Sequence, residues 1–287
     1  MAKRLNTMSV LRREHLTEHL VRLYLGGQGF EGFRAALDDR EQRDTDMYVK
    51  LIFPPEGTEI TDDFDMAAAR SLPPEQQPVL RTYTVRSVDD ERREIAIDFV
   101  VHGDTGLAGP WAASVEPGAV VRFLGPGSGY RPRPDAPWHL MAADEAGLPA
   151  LAAALEALPA DAIAKVFIEV ADPTGELPLD APAGADIVWV HRGGPAGDVG
   201  DDRAGDNAPL IAAVRAADWL DGEPQVFIHG EAQAVMHNLR SYVRKERGVS
   251  AANASISGYW RRGRTEEGFR QWKADLRAAE EGAAVPG

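Results

Sequence analysis

The sequence GPGSGYRPRPDAPW, residues 125–138, is rich in Gly and Pro and separates two halves of the chain that differ in the pattern of their apolar segments. Before it, short segments rich in Val, Ile, Leu, Phe and Tyr are separated by Gly, Pro or Asp clusters, which suits a small antiparallel β-barrel. After it, short apolar strands alternate with helical segments rich in Ala and Leu, which indicates a parallel sheet with helices on its faces. We therefore expect a barrel domain over residues 1–134 and an α/β domain over residues 135–287.

The same patterns predict the individual elements. In the barrel half we expect strands at residues 16–25, 47–53, 79–88, 94–102 and 119–124. In the α/β half we expect strands at residues 139–143, 165–171, 187–191, 225–229 and 254–257, and helices at residues 148–158, 209–219 and 231–247.

Composition limits the classes of function. The chain has 287 residues, a formal net charge of −14 and no cysteine. The negative charge disfavours general binding to nucleic acid or to anionic membranes, so an anionic ligand needs a local basic patch. The lack of Cys excludes disulfides, thiolate catalysis and Cys-ligated metal centres. Because neither a signal peptide nor a membrane-spanning run is recognisable, we expect a cytoplasmic protein without membrane insertion.

Two motif matches are weak. Residues 15–19 spell H-x-x-E-H, which needs a helix to bring both imidazoles to one metal, whereas the flanking residues alternate like a strand. Residues 27–32 spell G-x-G-x-x-G, but Arg22 interrupts the strand before it and residues 33–46 are highly charged and do not look amphipathic. We interpret the first as part of a strand and the second as a Gly-rich barrel loop, and we expect no metal site.

The segment RTYTVR, residues 81–86, carries the first chemical signal. On a strand that follows a Pro-rich loop it offers the cation of Arg81, the aromatic ring of Tyr83 and the hydroxyl of Thr84. A flavin dinucleotide needs charge for its pyrophosphate, a flat surface for its ring system and a polar contact near its redox nitrogen. An ordinary barrel strand with surface arginines and a core tyrosine would have the same sequence pattern.

The following segment, DFVVHGDTGLAGPWA over residues 98–112, is predicted to end a strand and begin a helix. Its small residues would let main-chain N–H groups approach a phosphate closely. His102 is either a satisfied histidine at the end of a strand or a flavin contact.

Motifs over nearly the whole chain, taken in order, resemble the siderophore-interacting proteins or ferric-siderophore reductases, a branch of the ferredoxin-reductase-like flavoproteins. The resemblance is carried by KLIFP at 50–54, R-x-YT-x-R at 81–86, DFVVHGD at 98–104, the small residues at 106–112, GPG at 125–127, ADE at 143–145, LPAL at 148–151, WVHRGG at 189–194, HGEA at 229–232 and SGYWRRG at 257–263.

The resemblance implies an FAD-binding barrel in which Thr84 lies near flavin N5 as the catalytic contact and His102 lies toward the ribityl and pyrophosphate. It implies that FAD is held by Arg81, Tyr83, Thr84, Asp98, Val100, His102, Gly106, Ala108, Gly109, Trp111 and Ala112. Where relatives commonly carry Ser in the phosphate loop, this chain has Gly109, so main-chain N–H groups would have to replace one hydroxyl contact.

For the second half, the resemblance implies an NADH or NADPH site at the ends of the parallel strands, where open α/β sheets bind ligands. The candidates are Asp144, Glu145, Gly230 and Glu231. Two carboxylates at one strand tip would repel an anionic cofactor unless they bind hydroxyls or cap a helix, and Asp144 is equally consistent with a helix N-cap. No cluster of arginines marks a 2′-phosphate site.

The implied substrate is a ferric siderophore, often an anion, which a local basic rim could hold. The candidates are Lys50, Arg131, Arg261 and Arg262, with Arg133 and Arg264 nearby in sequence. Gly127 occupies a position where relatives often carry Arg, so Arg131 or Arg133 would have to replace that charge. Tyr259 and Trp260 would cover the flavin or fill the domain interface. The remaining alternatives are a general NAD(P)H-dependent or ferredoxin-fed reductase and a non-catalytic ferric-siderophore carrier.

Overall fold

The computed structural model describes residues 4–38, 44–61, 64–103, 106–265, 268–269 and 271–272. Six antiparallel strands close into a barrel, and five parallel strands form a sheet. The predicted fold class, a barrel followed by a parallel-sheet α/β domain, is confirmed.

The barrel strands are β1 (Leu5–Thr17), β2 (Leu20–Gly26), β3 (Tyr48–Phe53), β4 (Val79–Asp89), β5 (Glu94–Val100) and β6 (Val120–Gly127). The sheet strands are β7 (His139–Asp144), β8 (Ile163–Val170), β9 (Gly184–His191), β10 (Gln225–Glu231) and β11 (Ala254–Trp260). The order in the barrel is β1-β2-β5-β4-β3-β6, and the order in the sheet is β11-β10-β7-β8-β9. The α-helices are α1 (Phe30–Asp38), α2 (Met66–Ala69), α3 (Ala108–Ser114), α4 (Leu148–Glu156) and α5 (Pro209–Ala216).

The remaining helical turns are short or irregular. Two consecutive π-helical stretches, Gln233–Leu239 and Tyr242–Glu246, follow β10. Single 3₁₀ turns occupy Pro74–Gln76, Pro173–Gly175, Asp201–Arg203, Gly205–Asn207 and Ala251–Asn253. Within the described residues no helix has the length and apolar character needed to cross a bilayer.

The predicted strand over residues 16–25 is wrong in its extent, because a hairpin lies inside it. β1 continues to Thr17, the chain turns at Glu18 and His19, and β2 begins at Leu20. Polar residues of β1 such as Arg12 and Glu14 face outward on a barrel strand, so the alternation there was hidden by charge. His15 therefore lies on β1 opposite Val21, and His19 lies in the turn. The two imidazoles are not on one helix, as the metal motif would require.

The interpretation of residues 33–46 as lacking an amphipathic pattern is wrong for residues 33–38, and residues 39–43 lie outside the described residues. After the Gly-rich turn the chain forms α1, which buries Phe30, Phe33 and Leu37 in the barrel core. These residues are spaced i, i+3 and i+7, so three apolar side chains make one face among many charges. The loop is still a barrel loop, because β2 pairs antiparallel with both β1 and β5 and no βαβ unit is formed.

The other predicted elements differ from the structure by one to three residues at one end or both. Glu231 belongs to β10 and not to the helix predicted from residue 231, and α5 ends at Ala216, before Trp219. The side chain of Glu231 accepts a hydrogen bond from Ala234 N at 3.0 Å, so it binds the main chain at the start of the π-helical stretch.

Contacts at the linker and at one helix join the two halves. β6 ends at Gly127 and β7 begins at His139, and the boundary that we predict at residues 134 and 135 falls between them. The buried side chain of Gln225 donates to Arg131 O at 2.9 Å and accepts from Arg133 N at 2.6 Å. Arg86 of β4 donates to both carboxylate oxygens of Glu156 at the end of α4. These contacts fix the barrel against the sheet.

Candidate functional site

A cavity of about 750 Å³ lies between the barrel wall and the carboxyl edge of the parallel sheet. Its size is within the range of sites for small molecules and cofactors. Most of the residues that we predicted from the sequence line it: Lys50, Arg81, Tyr83, Thr84, Asp98, Val100, His102, Gly106, Ala108, Gly109, Glu145 and Arg261.

Strand β4 supplies the barrel wall of the cavity. Arg81 donates to Leu80 O at 3.0 Å, and Thr84 is almost fully buried. The ring of Tyr83 lies 4.3 Å from that of Phe99 at an interplanar angle of 37°. Register with β3 places Lys50 opposite Thr82. The strand therefore brings a cation, an aromatic ring and a hydroxyl to one cavity, as the RTYTVR segment predicts.

Asp98 lines the cavity, but its carboxylate is already paired. Arg22 of β2 donates to its two oxygens at 2.6 and 2.8 Å. Burial lowers the pKa of the Arg22 guanidinium, and its bonds to Asp98 outweigh that effect and raise it. The pair leaves this part of the wall close to neutral.

His102 supplies a test of whether the cavity suits FAD. Its Nδ1 atom is buried and finds no hydrogen-bond partner among the described residues. Burial lowers the pKa of His102, so its ring is neutral at pH 7. A buried polar atom costs free energy until it finds a partner, and His102 lines the cavity. A polar ligand in the cavity would satisfy it, so the wall residues fit FAD.

Gly109, in the first turn of α3, has a steric reason to be glycine. A Cβ atom at this position would lie 2.9 Å from Val100 O, where the helix passes over the end of β5. The main chains of α3 and β5 therefore approach too closely here to leave room for a side chain.

We expect Gly109→Ala to lower the free energy of unfolding by about 1–3 kcal/mol, because α3 must move away from β5. Thermal unfolding of the FAD-free protein measures the loss. The matched control is Gly197→Ala, where a Cβ meets no atom within 4 Å. Equal melting temperatures for the two variants would contradict the close approach.

Trp111 and Ala112 do not line the cavity. Trp111 packs edge-on against Phe53 and Phe99, with ring centroids 5.4 and 5.8 Å apart, and Ala112 is fully buried in the barrel core. Both residues support the wall from behind.

Asp144, at the end of β7, is buried and does not line the cavity. Its Oδ1 accepts from Ala146 N at 3.0 Å and Gly147 N at 3.1 Å, and its Oδ2 accepts from Glu231 N at 2.8 Å and Trp260 Nε1 at 2.7 Å. Burial, with the nearby charge of Glu145, raises the pKa of Asp144 to about 7. The carboxylate thus ties together the ends of β7, β10 and β11.

Glu145 lines the cavity, and its charge is compensated by an arginine that our sequence analysis did not single out. The side chain of Arg192, only 3% exposed, lies 2.6 Å from Glu145 and 3.0 Å from Glu169. Glu169 also accepts from Leu210 N at 2.8 Å. The arginine in WVHRGG, directly after β9, was the sequence signal for this residue. Its two partners lie 47 and 23 residues away, so the sequence did not show the pairing.

Gly230 and Glu231 do not reach the cavity. A Cβ on Gly230 would lie 2.8 Å from Asp144 Cγ, so this glycine leaves room for the buried carboxylate. Glu231 accepts from Arg262 N at 3.3 Å and from the main chain at the start of the π-helical stretch.

The basic candidates divide into two groups. Lys50, Arg81, Arg261 and Arg264 line the cavity and come from both halves of the chain. Arg261 also donates to Gln233 Oε1 at 2.7 Å and lies 4.7 Å from the ring of Trp272. Arg262 turns away, to Asp201 at 2.8 Å and to Val199 O, and Arg131 lies on the linker.

The absence of a side chain at Gly127 is explained by Tyr48, a cavity residue that sequence analysis missed. A Cβ on Gly127 would lie 2.6 Å from Cζ of the Tyr48 ring. The phenol therefore covers the position from which an arginine side chain would begin, so this chain has an aromatic surface there.

Tyr259 and Trp260 both line the cavity from β11. Trp260 donates to Asp144, as described above. The Tyr259 hydroxyl bonds the side chain of Thr84 and lies 2.9 Å from His229 Nδ1. These two residues therefore connect the cavity to the interior of the α/β half.

Two family models together match most of the chain. Residues 9–130 match the siderophore-interacting FAD-binding domain, and residues 136–263 match the siderophore-interacting protein model. An uncharacterized protein of Mycobacterium tuberculosis is 52% identical over 288 residues, 97% of this chain and 98% of that protein. The ferric vibriobactin reductase ViuB of Vibrio cholerae is 28% identical, covering 92% of each chain. A siderophore utilization protein from T. fusca has a solved structure with TM-score 0.74 and 34% identity, covering 92% of this chain and 95% of that one.

Proposed function

Because this chain belongs to the siderophore-interacting protein family and its first half is an FAD-binding domain, we propose that it is an FAD-dependent ferric-siderophore reductase. The observation that carries the proposal is a cavity that both halves of the chain line. It combines the cation, ring and hydroxyl of β4 with basic side chains from both halves of a chain whose net charge is −14.

FAD supplies two-electron chemistry with a nicotinamide and one-electron chemistry with a metal ion. In our proposal Arg81 pairs with the pyrophosphate, Tyr83 covers the ring system and Thr84 bonds its redox nitrogen. His102 Nδ1 makes the hydrogen bond that it lacks among the described residues. Main-chain N–H groups near Gly109 replace the hydroxyl that a serine would provide.

The substrate in this proposal is an anionic ferric siderophore held by Lys50, Arg261 and Arg264. These cations concentrate positive charge at one cavity and so attract an anion that the rest of the surface repels. Fe(III) prefers hard oxygen donors, and Fe(II) is bound far less tightly by them, so reduction releases the iron. We place this release in the cytoplasm.

The electron donor in this proposal is NADH or NADPH at the carboxyl edge of the sheet. Glu145 would repel a dinucleotide phosphate, but Arg192 neutralises it, and four N–H donors occupy Asp144. The two carboxylates at this strand tip would therefore repel an anionic cofactor less than their charges alone suggest. A ferredoxin is the alternative donor.

Absorbance spectroscopy of the purified protein under argon tests the function. We expect a bound flavin spectrum that NADH or NADPH bleaches and that ferric catecholate or hydroxamate chelates restore as Fe(II) appears. A flavin that only reduced ferredoxin bleaches would replace the nicotinamide donor. Tight binding of the chelate without electron transfer would support a carrier, and transfer to general dyes but to no ferric chelate would support a general reductase.

We expect Lys50→Ala to raise KM for an anionic ferric chelate about tenfold and to leave kcat within about twofold, because the charge attracts the chelate and takes no part in electron transfer. The increase should shrink at high salt, where charges are screened. The matched control is Lys165→Ala, since Lys165 pairs with Asp186 on the sheet at 2.8 Å, outside the cavity. Equal KM values for both variants would remove Lys50 from the substrate site.

A further inference from the structure

A chain of four side chains leads from the cavity wall through the α/β half. Thr84, on β4, bonds the Tyr259 hydroxyl of β11. The Tyr259 hydroxyl lies 2.9 Å from His229 Nδ1, and His229 Nε2 lies 2.9 Å from Ser255 Oγ. Thr84 and Tyr259 line the cavity, His229 is 2% exposed and Ser255 is partly exposed. The chain therefore runs from the cavity along β11 to a partly exposed residue near the beginning of that strand.

All four members of the chain are neutral at pH 7. Burial lowers the pKa of His229 to about 3, so one ring nitrogen carries a proton and the other accepts. Burial raises the pKa of Tyr259 well above its ordinary value, so its hydroxyl keeps its proton. Each member can therefore donate one hydrogen bond and accept another.

Such a chain has two arrangements. In the inward arrangement His229 Nδ1–H donates to Tyr259, Tyr259 donates to Thr84, and the Thr84 hydroxyl donates into the cavity. In the outward arrangement Thr84 donates to Tyr259, Tyr259 donates to His229 Nδ1, and His229 Nε2–H donates to Ser255. Thr84 then offers a lone pair to the cavity. The two arrangements differ by one proton moved along the chain and by the tautomer of His229.

We propose that Thr84, Tyr259, His229 and Ser255 form a proton relay between the cavity and solvent, with Tyr259 and His229 as positioning residues that act through Thr84. The proposal rests on the proposed function, because that reaction must move a proton. The oxidation of fully reduced, anionic FAD by two Fe(III) ions would give FAD, two Fe(II) ions and one proton. The relay removes this proton while a ferric chelate covers the cavity.

Each proton moves by one bond. Thr84 Oγ1 takes the proton from the cavity and gives its own to Tyr259, Tyr259 gives its own to His229 Nδ1, and His229 Nε2 gives its own to Ser255, which releases one to water. The chain changes from the outward to the inward arrangement. A donor that supplies electrons singly drives the reverse transfer and brings one proton in.

The tautomer of His229 gives a test that needs no substrate. With ¹⁵N-labelled histidine, we expect NMR to show Nδ1–H in the oxidised holoprotein and Nε2–H after reduction by dithionite. His229→Asn assigns the signal. In Tyr259→Phe the tautomer should no longer follow the redox state, because the bond to Thr84 is lost, whereas Tyr242→Phe should behave as the wild type. Tyr242 is a buried tyrosine of the α/β half that bonds Arg247 and does not line the cavity.

Stopped-flow reoxidation by a ferric tris-catecholate gives the kinetic test. We expect Tyr259→Phe to slow reoxidation about 100-fold, the scale of a lost proton-transfer group, with FAD affinity within about twofold. Ser255→Ala, which leaves the cavity wall intact, should slow the same step. An unchanged tautomer on reduction, or full-speed reoxidation in both variants, would overturn the relay. A wild-type protein that switches tautomer but reduces no ferric chelate would contradict the proposed function and leave the relay in place.

Discussion

Replacing Arg192 with methionine is expected to destabilise the α/β half strongly. The guanidinium is buried between Glu145 and Glu169, at 2.6 and 3.0 Å. Without it, two carboxylates would remain close together with no counter-charge, which typically costs about 3–5 kcal/mol. Thermal unfolding should show a fall in melting temperature of roughly 10 °C.

Arg215→Met is the matched control for this change. Arg215 makes the same two-point contact, with Glu246, but both side chains are more than 40% exposed. Exposed pairs contribute about 0–1 kcal/mol, so this variant should melt close to the wild type. Adding Glu145→Gln to Arg192→Met should recover part of the loss, because one uncompensated charge disappears. If both single variants melted alike, the buried cluster would not stabilise the sheet edge.

Replacing Arg81 with methionine is expected to weaken FAD binding about 10–100-fold. Methionine keeps the apolar stem but removes the cation, and a hydrogen bond to a charged group contributes about 1.5–3 kcal/mol. Fluorescence titration of the FAD-free protein with FAD measures the affinity. The loss should be larger at low salt, since phosphate and guanidinium attract each other more strongly there.

Arg13→Met is the control for Arg81→Met. Arg13 lies on β1 of the same barrel, donates to Val115 O at 2.9 Å and does not line the cavity. We expect its FAD affinity to equal that of the wild type. An Arg81→Met protein that binds FAD as tightly as this control would mean that the pyrophosphate is held elsewhere, with main-chain N–H groups of residues 106–109 as the next candidates.

Much of the architecture could be predicted because its signals are local. Alternating apolar residues marked most barrel strands, and the change of rhythm after residues 125–138 marked the parallel sheet. The prediction failed where a local signal was masked. Charges on the outer face of β1 hid a 13-residue strand, and the many charges around Phe30, Phe33 and Leu37 hid the apolar face of α1.

The candidate site was predictable in its residue types and less so in its geometry. Neighbours in sequence separate in space: Arg261 lines the cavity while Arg262 turns to Asp201. Asp144 and Glu145, which look equivalent in sequence, have different surroundings. One is enclosed by four N–H donors, and the other lines the cavity and pairs with Arg192.

By itself, the sequence determined the two-part fold and the family, and it predicted β4 as the candidate flavin-binding strand, because strand periodicity, turn residues and ordered motifs depend on contiguous residues. Only the tertiary structure decided which cations share a cavity, which carboxylate is neutralised and that Thr84 is linked to His229. These depend on the direction of each side chain and on partners far apart in the chain, such as Asp144 and Trp260, 116 residues apart. This pair forms when β7 and β11 reach the same edge of one sheet, and Thr84 meets Tyr259 only when the barrel packs against that sheet. No local pattern encodes either arrangement.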